Sequence, residues 1–380
     1  MHSFYEFFAG GGMARAGLGD TWTCLFANDF DVKKCSTYKA NWGASELKIG
    51  DIAKLETKDL PSYGNAVWAS FPCQDLSLAG GGAGLKGERS GTFWPFWRLM
   101  KSLIKEERAP SVIVLENVCG TLNSHDGKDF SAICDTFEQA GYRYGAVVID
   151  AALFVPHSRP RLFIIGIHDR VAIPENLQSE EPISPFHTRS LQNGHRKLSP
   201  RLKKSWIWWR LQKPTPTLTR FSDLIEDEPV GVSWYSDGET KQLLEQMSDV
   251  NLDKIKAAKR SGEKIVGTIY KRTRVDSNGI KVQRAEVRFD DIAGCLRTPA
   301  GGSSRQLIIV VMGNKVRSRL ISTRETARLM GLPETYKLPS NYNEAYHLTG
   351  DGVVVPVVRY LAGQILEPLL DAVKTVKNVA

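Results

Sequence analysis

Over the first 170 residues, short runs of apolar, β-branched and aromatic residues alternate with helical or turn segments, and that alternation restricts the fold more than any other feature of the chain. The runs fall at 3–8, 22–27, 66–70, 111–115, 144–149 and 161–167. Such alternation predicts an α/β domain with a mostly parallel sheet and helices on both faces. In one spacer Phe93, Phe96, Met100 and Ile104 recur at helical spacing while Arg98, Lys101, Lys105 and Glu106 take other positions, which predicts a core-facing helix.

From about residue 170 the pattern degrades into Pro, Ser, Gln and charged residues, with Trp206, Trp208, Trp209 and Trp234 interspersed. These tryptophans read as a small local core or as platforms for stacked bases. Regular structure returns near Arg319. Thr323 to Gly331 predicts a helix capped by Thr323, and a later helix starts at Pro356, with Val358, Leu361 and Ile365 on one face until Pro368 interrupts it. The expected organisation is a catalytic domain over 1–169, an insert over 170–318 and a C-terminal segment, 319–380, that completes the first domain.

Charge singles out the insert. Residues 170–318 hold 26 Lys+Arg and 17 Asp+Glu, whereas the rest of the chain holds 24 and 25. A basic insert in a balanced protein points to a polyanion, most economically nucleic acid. The six cysteines form no Cys-x-x-Cys pair, which argues against a zinc site and a disulfide framework. With no secretion signal and no long apolar window, the chain reads as a soluble, cytoplasmic protein without a membrane partner.

The residues with chemical potential follow the strand ends. Phe8-Ala9-Gly10-Gly11-Gly12 comes directly after the first strand, where Cβ-free residues let a nucleotide-like ligand approach the backbone. A dinucleotide fingerprint fails, because Arg15 occupies the third glycine position. Asp29 ends the second strand and suits either a ribose acceptor or a helix N-cap. Asp51 suits an adenine amino group or a turn cap. Together they fit an adenosine-containing ligand that lacks a pyrophosphate. Phe71-Pro72-Cys73-Gln74 follows the third run and Glu116-Asn117-Val118 the fourth, so neighbouring strand ends bring together a thiol and a carboxyl, a nucleophile with an acid/base partner.

These blocks, with Arg159-Pro160-Arg161, Arg89-Ser90-Gly91-Thr92-Phe93 and the stretch from Arg319 through Glu325 to Met330-Gly331, closely resemble the DNA (cytosine-5) methyltransferase family of bacterial restriction-modification systems. They occur in the family's order and approximate spacing, over residues 3 to 168 and 319 to 372. The resemblance implies a Rossmann-like S-adenosylmethionine-dependent methyltransferase fold, with the basic insert as the target recognition domain. It implies methylation of cytosine carbon 5 in a short duplex DNA sequence, with S-adenosylhomocysteine as by-product and no metal.

The implied chemistry assigns roles residue by residue. Cys73 adds as thiolate to carbon 6, Glu116 holds or shares a proton with ring N3, and Arg161 together with Arg159 binds the base and favours the thiolate. The target base is flipped out of the duplex. Phe8, Ala9, Gly10, Gly11, Gly12, Asp29, Phe30, Asp51, Ile52, Pro72, Phe93, Asp351, Gly352 and Val353 are the implied cofactor contacts. Phe71, Pro72, Gln74, Ser77, Asn117 and Val118 are the implied contacts to the substrate base. The resemblance also admits a cognate restriction endonuclease as partner and a monomeric state.

The chain departs from the family pattern at His157, at Pro160 and at Gly350-Asp351-Gly352-Val353, where Gly-Asn-Ser-Val is usual. In the insert, Arg297 and Arg305 flank a Gly/Ser loop and are the candidates for reading base edges. A tRNA-directed branch of the family is disfavoured because its Cys-Phe-Thr signature is absent. A nicotinamide oxidoreductase leaves Cys73 and Glu116 unexplained. A non-catalytic DNA-binding module leaves the whole first half without a purpose.

Overall fold

The structure is a computed structural model, and it describes residues 1–72, 84–87, 90–275, 279–297 and 305–372. The chain forms two compact units. The first gathers Met1–Asp150, Pro160–Thr215 and Val355–Ala380, the second Ala151–Arg159 and Pro216–Val354.

Unit 1 is built on a seven-stranded sheet from β1 (His2–Phe7), β2 (Trp22–Asp29), β3 (Leu47–Ile49), β4 (Ala66–Ala69), β5 (Val112–Val118), β6 (Tyr142–Asp150) and β7 (Pro160–His168), in the order β3-β2-β1-β4-β5-β7-β6. The pairs from β3 to β5 are parallel, and β7 runs antiparallel to both β5 and β6. All six expected strands are present. The three-residue edge strand β3 joins them, half exposed and too short to show a sequence pattern.

Helices α1 (Met13–Leu18), α2 (Val32–Trp42), α3 (Phe93–Lys105), α4 (Lys128–Gln139), α5 (Arg189–Lys197) and α6 (Pro200–Lys204) connect or follow these strands, with a short pair β8 (Gln178–Ser179) and β9 (Trp208–Trp209). One sheet face, with Tyr5, Phe7, Val67, Ile113, Leu115 and Ile164, is buried under Phe96 and Met100 of α3, Ile133 and Phe137 of α4, Leu191 of α5 and Leu202 of α6. Burying each such side chain contributes about 1.5–3 kcal/mol.

The boundaries expected at 169 and 319 are both displaced. Residues 170–215 belong to unit 1 and 319–354 to unit 2. The tryptophans separate accordingly. Trp209 is buried in unit 1, where Trp206 and Trp208 pack on the core, while Trp234 in unit 2 lies 3.8 Å beneath the Arg317 guanidinium.

Unit 2 contains α7 (Asp237–Glu245), α8 (Asp249–Ser261) and an antiparallel sheet of β10 (Lys264–Val275), β11 (Lys281–Arg288), β12 (Leu307–Met312) and β13 (Lys315–Leu320), ordered β11-β10-β12-β13. Leu243 and Met247 on one side, and Ile255 and Ala258 of α8, cover Ile269, Val287, Ile309 and Val311. β12 pairs β10 only over Lys264–Ile269, so Tyr270–Val275 and Lys281–Glu286 continue as a two-stranded ribbon.

α9 (Thr323–Leu329) is capped by Ser322 rather than Thr323, in a box with Glu325, and α10 (Tyr342–Asp351) follows. Glu325 also forms a fully buried ion pair with Arg319, at 2.6 Å. Back in unit 1, α11 (Val355–Leu361) buries Val358 and Leu361 and is fitted against α1. A Cβ on Gly17 would lie 2.4 Å from Val358 Cβ, so only glycine permits this approach. Pro368 does not stop the helix. A π-helical turn at Ala362–Leu366 precedes it and shifts the bonding pattern ahead of the residue that lacks an N–H. The stretch Tyr342–Ala372 holds a window apolar and long enough for a membrane span, but 56% of that window is buried inside the protein, as in a core helix.

Candidate active site

The antiparallel course of β7 brings two of the expected site residues together. Arg161, the second residue of β7, sits opposite Val118 at the carboxyl end of β5, beside Glu116. Arg161 Nε lies 3.3 Å from Glu116 Oε1, with both side chains largely buried, and Arg161 Nη1 donates to the Pro160 carbonyl at 2.9 Å. Low solvent exposure strengthens such a pair relative to the surface.

Asn117 ties the neighbouring strand end to that of β5. Its Nδ2 donates to the Phe71 carbonyl at 3.1 Å, while its Oδ1 accepts from Val118 N and Thr121 Oγ1. Phe71 is thereby tied to the strand end that carries Glu116. Cys73, Gln74 and Ser77 lie outside the described residues. The Phe71 ring, expected at the substrate, is buried 5.3 Å from Phe93. Phe93, expected at the cofactor, is completely buried in the α3 core and has no surface to offer a ligand.

The Gly-rich turn is shaped by its neighbours. Phe8, Gly10 and Gly12 all have positive φ, at 57°, 54° and 76°. A Cβ on Gly12 would stand 2.4 Å from Trp42 Nε1, which donates to the Gly11 carbonyl at 3.0 Å. Asp29 is not the cap of α2. That role belongs to Asp31, which accepts from Lys33 N and Lys34 N. Asp29 instead receives Gly10 N at 2.8 Å on one oxygen and Asp31 N at 2.9 Å on the other. Burial pushes its carboxyl above the usual range, against the lowering effect of those two N–H groups. Each oxygen keeps a lone pair for a further donor such as a ribose hydroxyl.

Phe30 is 74% exposed beside Asp29, a flat apolar surface free for a planar ring. Asp51 is exposed and accepts from Ala53 N, so it does cap a turn, and Ile52 is buried next to it. The donor set and the open backbone fit an adenosine ligand.

One residue of this region escaped the sequence reading. Glu6 lies within β1, 1% exposed, with Oε1 accepting from Arg15 N at the start of α1 at 3.4 Å. Desolvation raises its carboxyl to about 8. A charged residue in the apolar run Tyr5-Glu6-Phe7-Phe8 was the available signal.

In unit 2, Arg159 is 2% exposed, and its Nη2 donates to the carbonyls of Gly350 at 2.7 Å and Gly352 at 2.8 Å. Its Nη1 reaches the Leu296 carbonyl and Cys295 Sγ, each at 3.4 Å. This geometry positions a turn, whereas Arg161 carries the pairing with the acid. The turn held by Arg159 includes Asp351, the exposed last residue of α10, then Gly352 and the buried Val353. His157 is fully buried, Nε2 accepting from Leu296 N at 3.3 Å while Nδ1 faces the Leu329 carbonyl at 3.2 Å. Arg297 is exposed. Arg305 is occupied within the fold, against the Tyr342 ring at 5.8 Å and hydrogen-bonded to Asn343.

The ribbon of β10 and β11 carries a denser basic surface than that pair. Arg272 and Arg284 stand directly opposite one another with Arg274 on the same face, and Glu286 is the carboxylate shared by Arg272 and Arg274.

Known proteins similar to this chain share one family description. The chain is 26% identical to the type II methyltransferase M.BsuFI of Bacillus subtilis over 97% of its own length and 74% of the relative's. It is 28% identical to M1.ScrFI of Lactococcus lactis subsp. cremoris, over 97% and 79%. The solved Dnmt2 methyltransferase of S. pombe shares the fold with a TM-score of 0.59 at 16% identity, covering 97% of this chain and 99% of that one. The model of the C-5 cytosine-specific DNA methylases matches residues 2–367, and this chain belongs to that family.

Proposed function

We propose that this DNA (cytosine-5-)-methyltransferase modifies one cytosine within a specific short duplex sequence, flipping the base out and attacking it with Cys73. The observation that supports this most directly is the Glu116–Arg161 pair, on a strand end to which Asn117 ties Phe71. S-adenosylmethionine, which the family implies, supplies an electrophilic methyl group when bound. Phe8–Gly12 and Asp29 would hold its adenosine, with Phe30 against the ring.

The Cys73 thiolate bonds to carbon 6, and Glu116 supplies a proton or hydrogen bond at N3 as charge develops there. Carbon 5 gains nucleophilic character and accepts the methyl. Loss of the carbon-5 proton returns the electron pair to the ring and expels Cys73. Arg161 orients Glu116 and presents N–H groups to the base carbonyl. The relatives are named type II methyltransferases, which supports reading this protein as the partner of an endonuclease of the same site; we further propose that it acts as a cytoplasmic monomer.

Oligonucleotides carrying 5-fluorocytosine test the chemistry, because fluorine cannot leave as a proton does. Wild-type protein forms a stable covalent adduct and Cys73→Ser forms none. Undiminished trapping by Cys73→Ser overturns the assignment. Labelled S-adenosylmethionine offered with duplex DNA or tRNA identifies the substrate class, and bisulfite sequencing of DNA from expressing cells reads the site.

A further inference from the structure

We infer that the exposed basic surface of α5 and α6, on unit 1, grips the phosphate backbone of duplex DNA outside the recognised sequence. The inference rests on the DNA methyltransferase reading above.

The charge of the middle segment is distributed in an unexpected way. Residues 182–215 contain eight Lys/Arg and no Asp or Glu, and they belong to unit 1. Residues 216–318, in unit 2, hold 17 basic and 14 acidic residues. Most of the excess that suggested a polyanion is therefore carried by unit 1.

These cations sit on a rigid support. Thr188 caps α5 and Ser199 caps α6, while Leu191, Leu198 and Leu202 anchor both helices in the core. Arg189, Arg196, Lys197, Arg201, Lys203 and Lys204 are all exposed. Lys197 pairs with Asp126, and Arg201 with Asp135 and Glu138. Among the described residues, Arg189, Arg196, Lys203 and Lys204 have no carboxylate partner.

Local stability accounts for only part of this arrangement: Lys203 and Lys204 complement the dipole at the end of α6, and Lys203 Nζ donates to the Arg196 carbonyl at 2.8 Å. Arg196 and Lys197 complement the dipole at the end of α5, but Arg189 opens the helix, where the dipole disfavours a cation. Clustered like charges also repel one another. A polyanion offsets both costs.

The surface is tied to the loop that follows Glu116 in the chain. Asn123 Nδ2 donates to Ser190 Oγ at 3.3 Å and Lys197 Nζ to Asp126 Oδ1 at 2.5 Å, so both ends of α5 are fastened to the 119–127 loop that follows Glu116. Nine residues of helix span about 13 Å, and duplex DNA carries one charge per about 1.7 Å of its axis, which brings several phosphates within reach. Contacts of this kind fix register and affinity without reading sequence.

The test uses the triple variant Arg189→Gln/Arg196→Gln/Lys204→Gln, which leaves the ion-paired Lys197 and Arg201 intact. Affinity and turnover are measured over a range of salt on two duplexes built around the methylated site, a short one limited to the site and a long one with flanks. Wild-type protein is expected to bind the long duplex more tightly and with a steeper salt dependence. The variant should lose that preference, with a log–log slope lower by about 0.9 for each phosphate contact removed, or roughly threefold in affinity over a fourfold rise in salt. Its turnover on the short duplex should stay at the wild-type level, which also reports intact folding. An unchanged preference and slope overturn the inference, and so does an equal loss on both duplexes, which places the contact inside the site. Absence of methyl transfer by the wild type to any duplex refutes the underlying function instead.

Discussion

Replacing Glu6 by Gln should change how the stability of the protein depends on pH, in a direction fixed by the burial of this carboxyl. Glu6 Oε1 accepts the Arg15 backbone N–H at 3.4 Å, and the carboxyl is otherwise enclosed in the core. Desolvation, opposed by Arg15 and reinforced by Asp29, lifts the carboxyl from 4.5 to about 8. The native state thus holds a proton that the unfolded chain releases between these two values. A raised acid contributes stability that is full below the unfolded value and is lost as pH rises through the folded one. Across that window the wild type should lose about 1.4 kcal/mol per pH unit relative to Glu6→Gln, which has nothing to titrate there. Over the whole interval from 4.5 to about 8, the loss reaches about 5 kcal/mol as an upper bound. Urea denaturation of both proteins at pH 5, 6, 7 and 8 gives the two profiles. Their difference, not the absolute stability of either, is the readout, because the new amide also changes local hydrogen bonding. Parallel profiles would show that Glu6 ionises alike in both states, and the account of a buried neutral carboxyl beneath the Gly-rich turn would be wrong.

Asp29→Ala should weaken S-adenosylhomocysteine binding by about 1–3 kcal/mol in calorimetry, since it removes an acceptor and frees the Gly10 N–H that shapes the turn. Unchanged affinity in a folded variant would limit Asp29 to a backbone role. Glu325→Ala should cost about 3–5 kcal/mol in chemical denaturation, because it strands the buried Arg319 guanidinium; a loss under 1 kcal/mol contradicts this. On the β10–β11 ribbon of unit 2, Arg272→Ala and Arg284→Ala should each cost about 1–3 kcal/mol of DNA affinity and relax preference at one base pair, whereas Arg305→Ala, already engaged with Tyr342 and Asn343, should mainly lower stability. Titrations on cognate and scrambled duplexes that reverse this order return base reading to the 297–305 region.

Legibility varied with how local the determining interactions were. The strands of unit 1 could be read because continuous apolar runs such as Val112–Leu115 are demanded by burial on both faces. Glu116 and Arg161 were identified individually, but their pairing depends on the reversed direction of β7, a property of topology. Arg159 and Arg161 are alike in sequence and differ in what surrounds them, backbone carbonyls for one and a carboxylate for the other. Phe93 carried a functional expectation although it is a core residue, because an aromatic at helical spacing looks the same in either role. Net charge located a basic segment correctly yet assigned it to the wrong unit, since charge alone does not record which core Leu191 and Leu202 join.

The connectivity of unit 2 bears on how that unit can be exchanged among such enzymes. The nine residues 151–159 are separated from the rest of that unit by 56 residues of chain, yet Ser158 N donates to the Ala293 carbonyl and Ala293 N to the Pro156 carbonyl, each at 2.8 Å. Arg159 and His157 add their bonds to Leu296. A chimera cut only at 216 and 354 would therefore import a donor scaffold while retaining the host's strap, and mismatched pairs would meet at residues 156–159 and 293–296. Exchanges that carry both pieces should preserve folding where single-piece exchanges fail. In lineages that acquire new targets by recombination, the short strap should travel with the long one or mutate soon afterwards.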